Sequence, residues 1–226
     1  MLDKNSFNFN WIDALPDTAK QAVVNTMTTR TFSDGEFVYL AGTPSEALYQ
    51  VVEGLVRLTV MSPDGKEILM FVMRPGDCFG EVGLIEGTPR ANSANVQGKT
   101  CLRLLPKQIF RALSKDYPSI NEQLLQLMCR RMRLTLEMIE GAALLSLRQK
   151  LLRRLQALVS AYGEPAGDGI VIRPRFSQEE LGKMVGASRQ SINKELHALQ
   201  SEGLIRLESG LVYVSNPERL SEQAFA

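Results

Sequence analysis

The chain has 226 residues, 44% of them apolar and 23% charged, with a formal net charge of +1. That length allows one large domain or two smaller ones, each with its own core, and the near-zero charge carries no global signal for nucleic acid, only the option of a local basic surface. Three scattered cysteines (Cys78, Cys101, Cys129) with no C-x-x-C pair argue against a disulfide framework, a zinc site or an iron–sulfur cluster, and a single histidine (His197) excludes a multi-histidine metal centre.

Free cysteines suit a reducing compartment. The opening stretch "MLDKNSFNFNWIDALPD" is polar and acidic, unlike a signal peptide. No apolar run reaches the roughly 18 residues of a membrane span. A cytoplasmic protein without a membrane partner is expected.

Residues 12–29 read as a short helical region. From about 30 to 105 the texture is β-rich: "FVYL", "ALYQVVEG", "LVRLTVM", "EILMFVM" and "CLRLLP", separated by turn signals at Asp34-Gly35, Glu53-Gly54, Pro63-Asp64-Gly65, Pro75-Gly76-Asp77 and Gly98. Short strands so spaced predict an all-β roll or barrel. Within it "FGEVGLIEGTPRANSA" (79–94) sets Glu81 and Arg90 nine residues apart among small and apolar residues. Two readings are open: an ion pair across a turn, or a pocket for a small anionic ligand.

Residues 106–145 turn helical. "PKQIFRALSKDY" is a short helix ending before Pro118, followed by one long helix over about 118–145. Met128, Met132, Thr135, Ile139 and Ala142 recur at spacings of four and three, a heptad seam, while Leu124, Leu127, Leu134 and Met138 form a second apolar line. A helix with two apolar lines covers its own domain and one thing more; a second copy in a two-fold parallel coiled coil is the expectation, burial on two sides within one monomer the alternative. Ser146 and Gln149 form a capping-box pattern that starts a further helix. The segment "GEPAGDG" then reads as a loop.

The last part carries the stronger motif: "FSQEELGKMVGASRQSINKELHALQSEGLIRLESGLVYV". Ser177 and Glu180 box a helix over about 178–185, Gly186 allows a sharp turn, and Ser188 caps a second helix to about 201. "RLESGLVYV" reads as a two-stranded wing. The start of the second helix carries Ser188, Arg189, Gln190, Asn193 and Lys194, side chains suited to base edges and phosphates; arginine pairs bidentately with guanine, glutamine with adenine. Residues 147–226 hold 11 Lys+Arg against 9 Asp+Glu, a slight positive excess. Arg148, Lys150, Arg153 and Arg154 either add phosphate contacts or form a solvated face.

These halves, in this order, resemble the CRP/FNR family of bacterial transcription regulators over about residues 15–217. The residues that carry the likeness are "PGDCFGE" (75–81), the Glu81-to-Arg90 spacing, "CRRMRLT" (129–135) and "FSQEELGKMVGASRQSINKELHALQSEGLI" (176–205). The resemblance implies an α+β chain: a jelly-roll-like β-roll sensor domain of cyclic-nucleotide-binding type (1–117), a dimerisation helix (118–145), and a winged helix-turn-helix (146–226). It implies a homodimer on double-stranded DNA at an inverted repeat, working with RNA polymerase; the residues themselves offer no convincing nucleophile–base–orienter set, so an enzyme is not expected.

By resemblance, the ligand site comprises Gly80, Glu81, Val82, Arg90, Ala91 and Thr135. Glu81 would accept from a ribose hydroxyl, Arg90 would pair with a cyclic phosphate, and backbone N–H groups near Gly80–Val82 would add donors. cAMP or cGMP is the implied effector. The sequence departs from the family pattern after the arginine, where Ala91-Asn92 replaces Ser-Ala; a lost hydrogen bond to a charged group costs roughly 1.5–3 kcal/mol. It departs again at Thr135-Leu136, where the second position cannot hydrogen-bond through its side chain. The alternative function is a DNA-binding regulator with a degenerate pocket, governed by abundance, a protein partner or redox state, with Cys78 the sensing candidate.

Overall fold

The computed structural model describes residues 8–167, 169–173 and 175–225, apart from the side chains of Ala142 and Phe225. Expectations for residues 1–7 and for the Ala142 side chain lie outside these. Two compact units form, Asn8–Met132 and residues 133 onward, the division falling within one long helix.

The first unit is an antiparallel β-roll. Its strands are β1 (Thr28–Phe32), β2 (Phe37–Tyr39), β3 (Ala47–Met61), β4 (Glu67–Met73), β5 (Cys78–Phe79) and β6 (Ser93–Pro106), in the order β1-β6-β3-β4, with β2 on β6 and β5 on β3. Helix α1 (Asp17–Thr26) precedes the strands, α2 (Val82–Glu86) lies between β5 and β6, and α3 (Lys107–Asp116) and α4 (Pro118–Leu144) follow them. Leu48, Val51, Val56, Leu69, Met73, Leu102 and Leu105 are buried between the layers, and Trp11 and Ile12, ahead of α1, are wholly buried with them.

Three expectations about strand ends are corrected. The runs 47–54 and 55–61 are one strand, β3. Gly54 does not turn the chain; it sits where the β3–β6 register shifts, at φ 85°, and a Cβ there would lie 2.8 Å from the Lys99 carbonyl oxygen. A bulge and a turn both call for a positive-φ glycine, so the residue alone does not separate them. Gly98 likewise lies inside β6, and residues 28–29 belong to β1 rather than to the preceding helix.

On α4, Ile120, Leu124, Leu127 and Leu134 are buried. Leu125, Met132, Leu136 and Ile139 are exposed, while Met128, Thr135 and Met138 are half-buried. The exposed apolar line therefore shares Met132 and Ile139 with the predicted seam, and runs through Leu125 and Leu136 at its other positions.

The second unit contains α5 (Leu147–Tyr162), β7 (Gly163–Ala166), β8 (Gly169–Ile172), α6 (Gln178–Val185), α7 (Arg189–Ser201), β9 (Ile205–Glu208), β10 (Leu211–Val214) and α8 (Pro217–Phe225). The sheet order is β7-β8-β10-β9, all antiparallel. The capping boxes at Ser146 and Ser177 are both formed. The segment read as a loop contains β7, an edge strand that accommodates Pro165, as only an edge can. The C-terminal helix α8 has no counterpart in the sequence reading. Its Leu220 and Ala224 are buried.

Candidate functional site

In the roll, β5 brings Phe79 beside Tyr49 of β3 in the strand register, and the two rings stack at 5.3 Å between centroids. The chain then turns at Gly80 (φ 86°), places Glu81 at the N-cap of α2, and returns through Gly87 to Arg90. Glu81 is 0% exposed and Arg90 5%.

Of the two open readings, the ion pair across the turn does not describe this pair, since Glu81 and Arg90 each take other partners. Glu81 forms an ion pair with Arg131 of α4, through Oε1 and Nη1. Arg131 also donates to the Cys78 carbonyl at 2.7 Å and lies 5.0 Å from the centre of the Phe9 ring. Arg90 donates from Nη1 to the Gly80 carbonyl at 2.5 Å and from Nη2 to the Ala47 carbonyl at 2.6 Å. Its guanidinium carbon stands 4.2 Å from the Tyr39 ring centre and 5.7 Å from that of Tyr49.

In this region Glu81 Oε2, Arg90 Nε and Ser45 Oγ are buried with no partner among the described residues. They are neighbours through the chain. Arg90 is bonded to Gly80, the residue before Glu81, and a Cβ on Gly83 would come within 2.3 Å of Ser45 Oγ. Burying an unpaired donor or acceptor costs about 1–3 kcal/mol, and more for a charged group. The roll thus holds one acceptor and one donor in reserve, of opposite charge, with a hydroxyl close by.

Of the other predicted ligand residues, Gly80 is half-buried, Val82 and Ala91 are exposed, and Thr135 is half-buried one turn along α4 from Arg131. The two residues after Ala91 are already engaged: Asn92 Oδ1 accepts from the Tyr39 hydroxyl at 3.3 Å, and Ser93 Oγ accepts from the Ala41 N–H at 3.0 Å. Sequence reasoning missed Arg131, Tyr39 and Tyr49. Arg131 had a signal, since it interrupts the buried line Ile120, Leu124, Leu127, Leu134 at its fourth position. Cys78 is wholly buried. Burial, with the negative charges of Glu81 and Asp77, pushes its thiol pKa far up. A thiolate is the reactive form, so this environment opposes a redox role.

In the second unit, α6 ends at Gly186 with φ 70° and α7 starts three residues later. The turn is tight: a Cβ on Gly182 would stand 2.5 Å from the Ala187 carbonyl oxygen. Leu181 and Met184 of α6 and Ile192, Leu196 and Leu199 of α7 are buried. Ser188 caps α7 by accepting from the Ser191 N–H at 3.2 Å. The opposite side of α7 is polar: Ser188, Arg189, Gln190 and Lys194 are exposed, as is His197, and Asn193 is half-exposed. Strands β9 and β10 form the wing hairpin, closed by Ser209 (φ 51°) and Gly210 (φ 76°).

Arg148, Arg153 and Arg154 on α5 are tied into the unit. Arg148 pairs with Glu202 at 2.6 Å. Arg153 pairs with Glu140 at 3.5 Å and donates to the Ala224 carbonyl at 3.1 Å. Arg154 donates to the Met184 carbonyl at 3.4 Å, and burial lowers its pKa. They brace the reader rather than present a free cationic face. Among the described residues no helix is long and apolar enough to cross a membrane.

Residues 29–117 match the cyclic nucleotide-binding domain family and residues 149–223 the Crp-like helix-turn-helix domain family. The chain is 32% identical over 193 residues to the CRP-like cAMP-activated global transcriptional regulator of Mycobacterium tuberculosis, covering 85% of this chain and 86% of that one. Among solved structures it is similar to a CRP-family transcriptional regulator of Thermus thermophilus, with 28% identity, a TM-score of 0.72, and coverage of 87% and 97%. A c-di-GMP responsive global regulator of Xanthomonas campestris shares the fold, with 23% identity, a TM-score of 0.76, and coverage of 89% and 100%.

Proposed function

Because this chain belongs to the CRP/FNR family of transcription regulators, we propose that it is a homodimeric regulator whose roll binds a cyclic nucleotide and thereby changes the placement of its two reader helices on an inverted-repeat DNA site. The observation that carries the reading is the buried set of unpartnered atoms, Arg90 Nε, Glu81 Oε2 and Ser45 Oγ. A cyclic nucleotide supplies the complement of each in one molecule. Its phosphodiester accepts from Arg90, and a ribose hydroxyl donates to Glu81. Charge-assisted bonds of this kind are about twice as strong as neutral ones.

Arg131 would orient Glu81, holding Oε1 so that Oε2 faces the ligand. The backbone N–H groups at Gly80–Val82 would complete the proposed site. Two copies would meet along the exposed apolar line of α4 that includes Met132 and Ile139, and a parallel coiled coil is the simplest way to cover it. The two α7 helices, with Arg189, Gln190, Asn193 and Lys194, would then enter successive major grooves about one helical turn apart. We place the protein in the cytoplasm, with RNA polymerase as the partner on DNA.

The relatives' effectors differ by name, cAMP in one and c-di-GMP in another, so the test compares them. Affinity for an inverted-repeat DNA selected from random sequence is measured with no nucleotide and with cAMP, cGMP or c-di-GMP, for the wild type and Arg90→Leu. The expected result is that a cyclic nucleotide changes DNA affinity in the wild type and not in Arg90→Leu. A wild type indifferent to all three, binding DNA equally throughout, supports instead the regulator with a degenerate pocket.

A further inference from the structure

Residues 147–226 hold 11 Lys+Arg against 9 Asp+Glu, so what matters for DNA is which of these cations the unit leaves uncompensated. Arg148, Arg153 and Arg154 are braced as described above. Arg173 pairs with Glu164 at 3.0 Å, Lys183 with Glu179 at 3.2 Å and Arg206 with Glu208 at 2.5 Å. Arg219 donates to the Glu202 carbonyl at 3.4 Å, and Lys150 is engaged too. Arg175, Arg189 and Lys194 differ: each is exposed and has no ion-pair or hydrogen-bond partner among the described residues.

Two of these three stand on α7, and Arg175 does not. It lies just ahead of α6, in backbone fixed by its two successors. Phe176 is buried, its ring 6.0 Å from that of Tyr162, and Ser177 caps α6 by accepting from the Glu180 N–H at 3.2 Å. The Arg175 side chain runs past the tip of the wing, where a Cβ on Gly210 would lie 3.9 Å from its Cδ. The tip has donors of its own. Glu208 and Leu211 are register partners, and Ser209 and Gly210 between them both have positive φ. That is a two-residue type I′ turn, and its central N–H groups stand outside the strand ladder.

We propose that Arg175 and the wing tip Ser209–Gly210 form a phosphate site for the DNA backbone, separate from the base-reading face of α7. This rests on α7 being the helix that enters the major groove. In a helix-turn-helix the helix ahead of the reader crosses the backbone, and Arg175 stands three residues before the first residue of that helix, α6.

The chemistry suits a phosphate. A guanidinium can give a phosphate two parallel N–H bonds, and successive backbone N–H groups in a turn favour anions. The nearby carboxylates are already engaged: Glu208 by Arg206, Glu179 by Lys183, and Glu180 by the Ser177 N–H at 2.8 Å. A paired cation such as Arg173 has to leave its carboxylate or bring that negative charge against the DNA. An unpaired one neutralises a phosphate and releases a counterion without that penalty. Such a contact fixes how the reader sits on the duplex and reads no base.

The experiment measures binding of the full-length protein to a matched inverted-repeat duplex, selected from random sequence, and to a scrambled duplex across a salt series. It compares the wild type with Arg175→Gln, Arg175→Lys and Arg173→Gln, in the effector condition that gives the wild type its tightest binding. Arg173 is the control: it is also exposed and two residues away, but paired. Arg175→Gln is expected to weaken both duplexes alike and to lower the slope of log affinity against log salt by about 1 for each bound subunit. Arg175→Lys, which keeps the charge, and Arg173→Gln should both keep the wild-type slope. An unchanged slope in Arg175→Gln, with a wild type that prefers the matched duplex, overturns the phosphate site and leaves α7 as the reader. An equal drop in Arg173→Gln shows that net charge rather than a placed cation sets the slope, and overturns the site as well. A loss in Arg175→Gln confined to the matched duplex assigns Arg175 to a base instead. A wild type that binds both duplexes equally removes the reading of α7 as the reader, and the site beside it.

Discussion

Arg189 and Arg90 are the two arginines on which the functional reading turns, and they stand in opposite environments. Arg189 is exposed on the first turn of α7, in a helix capped locally, by the Ser188 hydroxyl on the Ser191 N–H three residues on. Arg90 is buried, and its guanidinium is held by the Ala47 carbonyl, 43 residues away. The reader is assembled from neighbours in sequence and presents its charge to solvent. The pocket is assembled from four separate segments and keeps its charge inside. A charge removed from the reader should therefore cost binding alone. A charge removed from the pocket should cost folding as well.

The largest expected effect tests the folding half of that contrast. Arg131→Leu leaves the wholly buried Glu81 carboxylate without its ion-pair partner. Breaking a buried pair from one side costs about 3–5 kcal/mol. Denaturant unfolding of the roll should show a loss of that order. Replacing both partners, Glu81→Leu with Arg131→Leu, should recover most of it, because no unpaired charge remains. If Arg131→Leu unfolds at the wild-type midpoint, Glu81 is not held by Arg131 and the pocket is less enclosed than described.

Next comes the reader. Arg189→Ala should cost about 1–3 kcal/mol on a specific inverted-repeat site and flatten preference at one base pair. Its thermal midpoint should match wild type, because the side chain is exposed and the Ser188 cap is untouched. A selection from random DNA checks the first expectation and a melting curve the second. An unchanged motif would show that Arg189 does not read a base.

Gly80→Ala follows, at the point where backbone and site meet. A side chain at φ 86° costs about 1–2 kcal/mol from the left-handed conformation alone. The added methyl would also stand 2.8 Å from Arg90 Nη1 and 3.2 Å from the Tyr49 ring. The variant should lose roughly that stability and, in the same protein, its response to cyclic nucleotide. Loss of stability with an intact response would separate the turn from the pocket.

The same contrast explains what could be read in advance. The helix-turn-helix was legible nearly residue for residue, because capping boxes, a C-cap glycine and 3.6-residue periodicity are all local signals. The α+β class and the roll were legible from short β-rich runs and their spacing. The partners in the pocket were not. Glu81 and Arg90 could be singled out, but not Arg131 as the partner of Glu81, since 50 residues separate them and only the packing of α4 on the roll joins them. Tyr39 was hidden for a similar reason. Its place over Arg90 follows from the β2–β6 pairing, which contains a register shift between Phe37 and Tyr39. No local pattern encodes such a shift. Strand β7 escaped because Pro165 argues against a strand unless the strand is known to be an edge.

The smallest expected effect concerns Lys194, a second exposed cation of the reader face. It lies on the second turn of α7, four residues beyond Gln190 and on the same side. An ammonium lacks the planar fork that lets arginine grip two acceptors of one base, and its charge is a compact point suited to a phosphate oxygen. Phosphate contacts position a protein on DNA without reading it, and each releases about one counterion. Lys194→Ala should therefore weaken specific and non-specific DNA alike, leave the selected motif unchanged, and lower the slope of log affinity against log salt by about 1. Binding measured across a salt series on a matched and a scrambled duplex checks all three. A loss confined to the matched duplex would mean that Lys194 reads a base, and the base-reading surface of α7 would then extend one turn further from its N-terminus than Arg189 and Gln190.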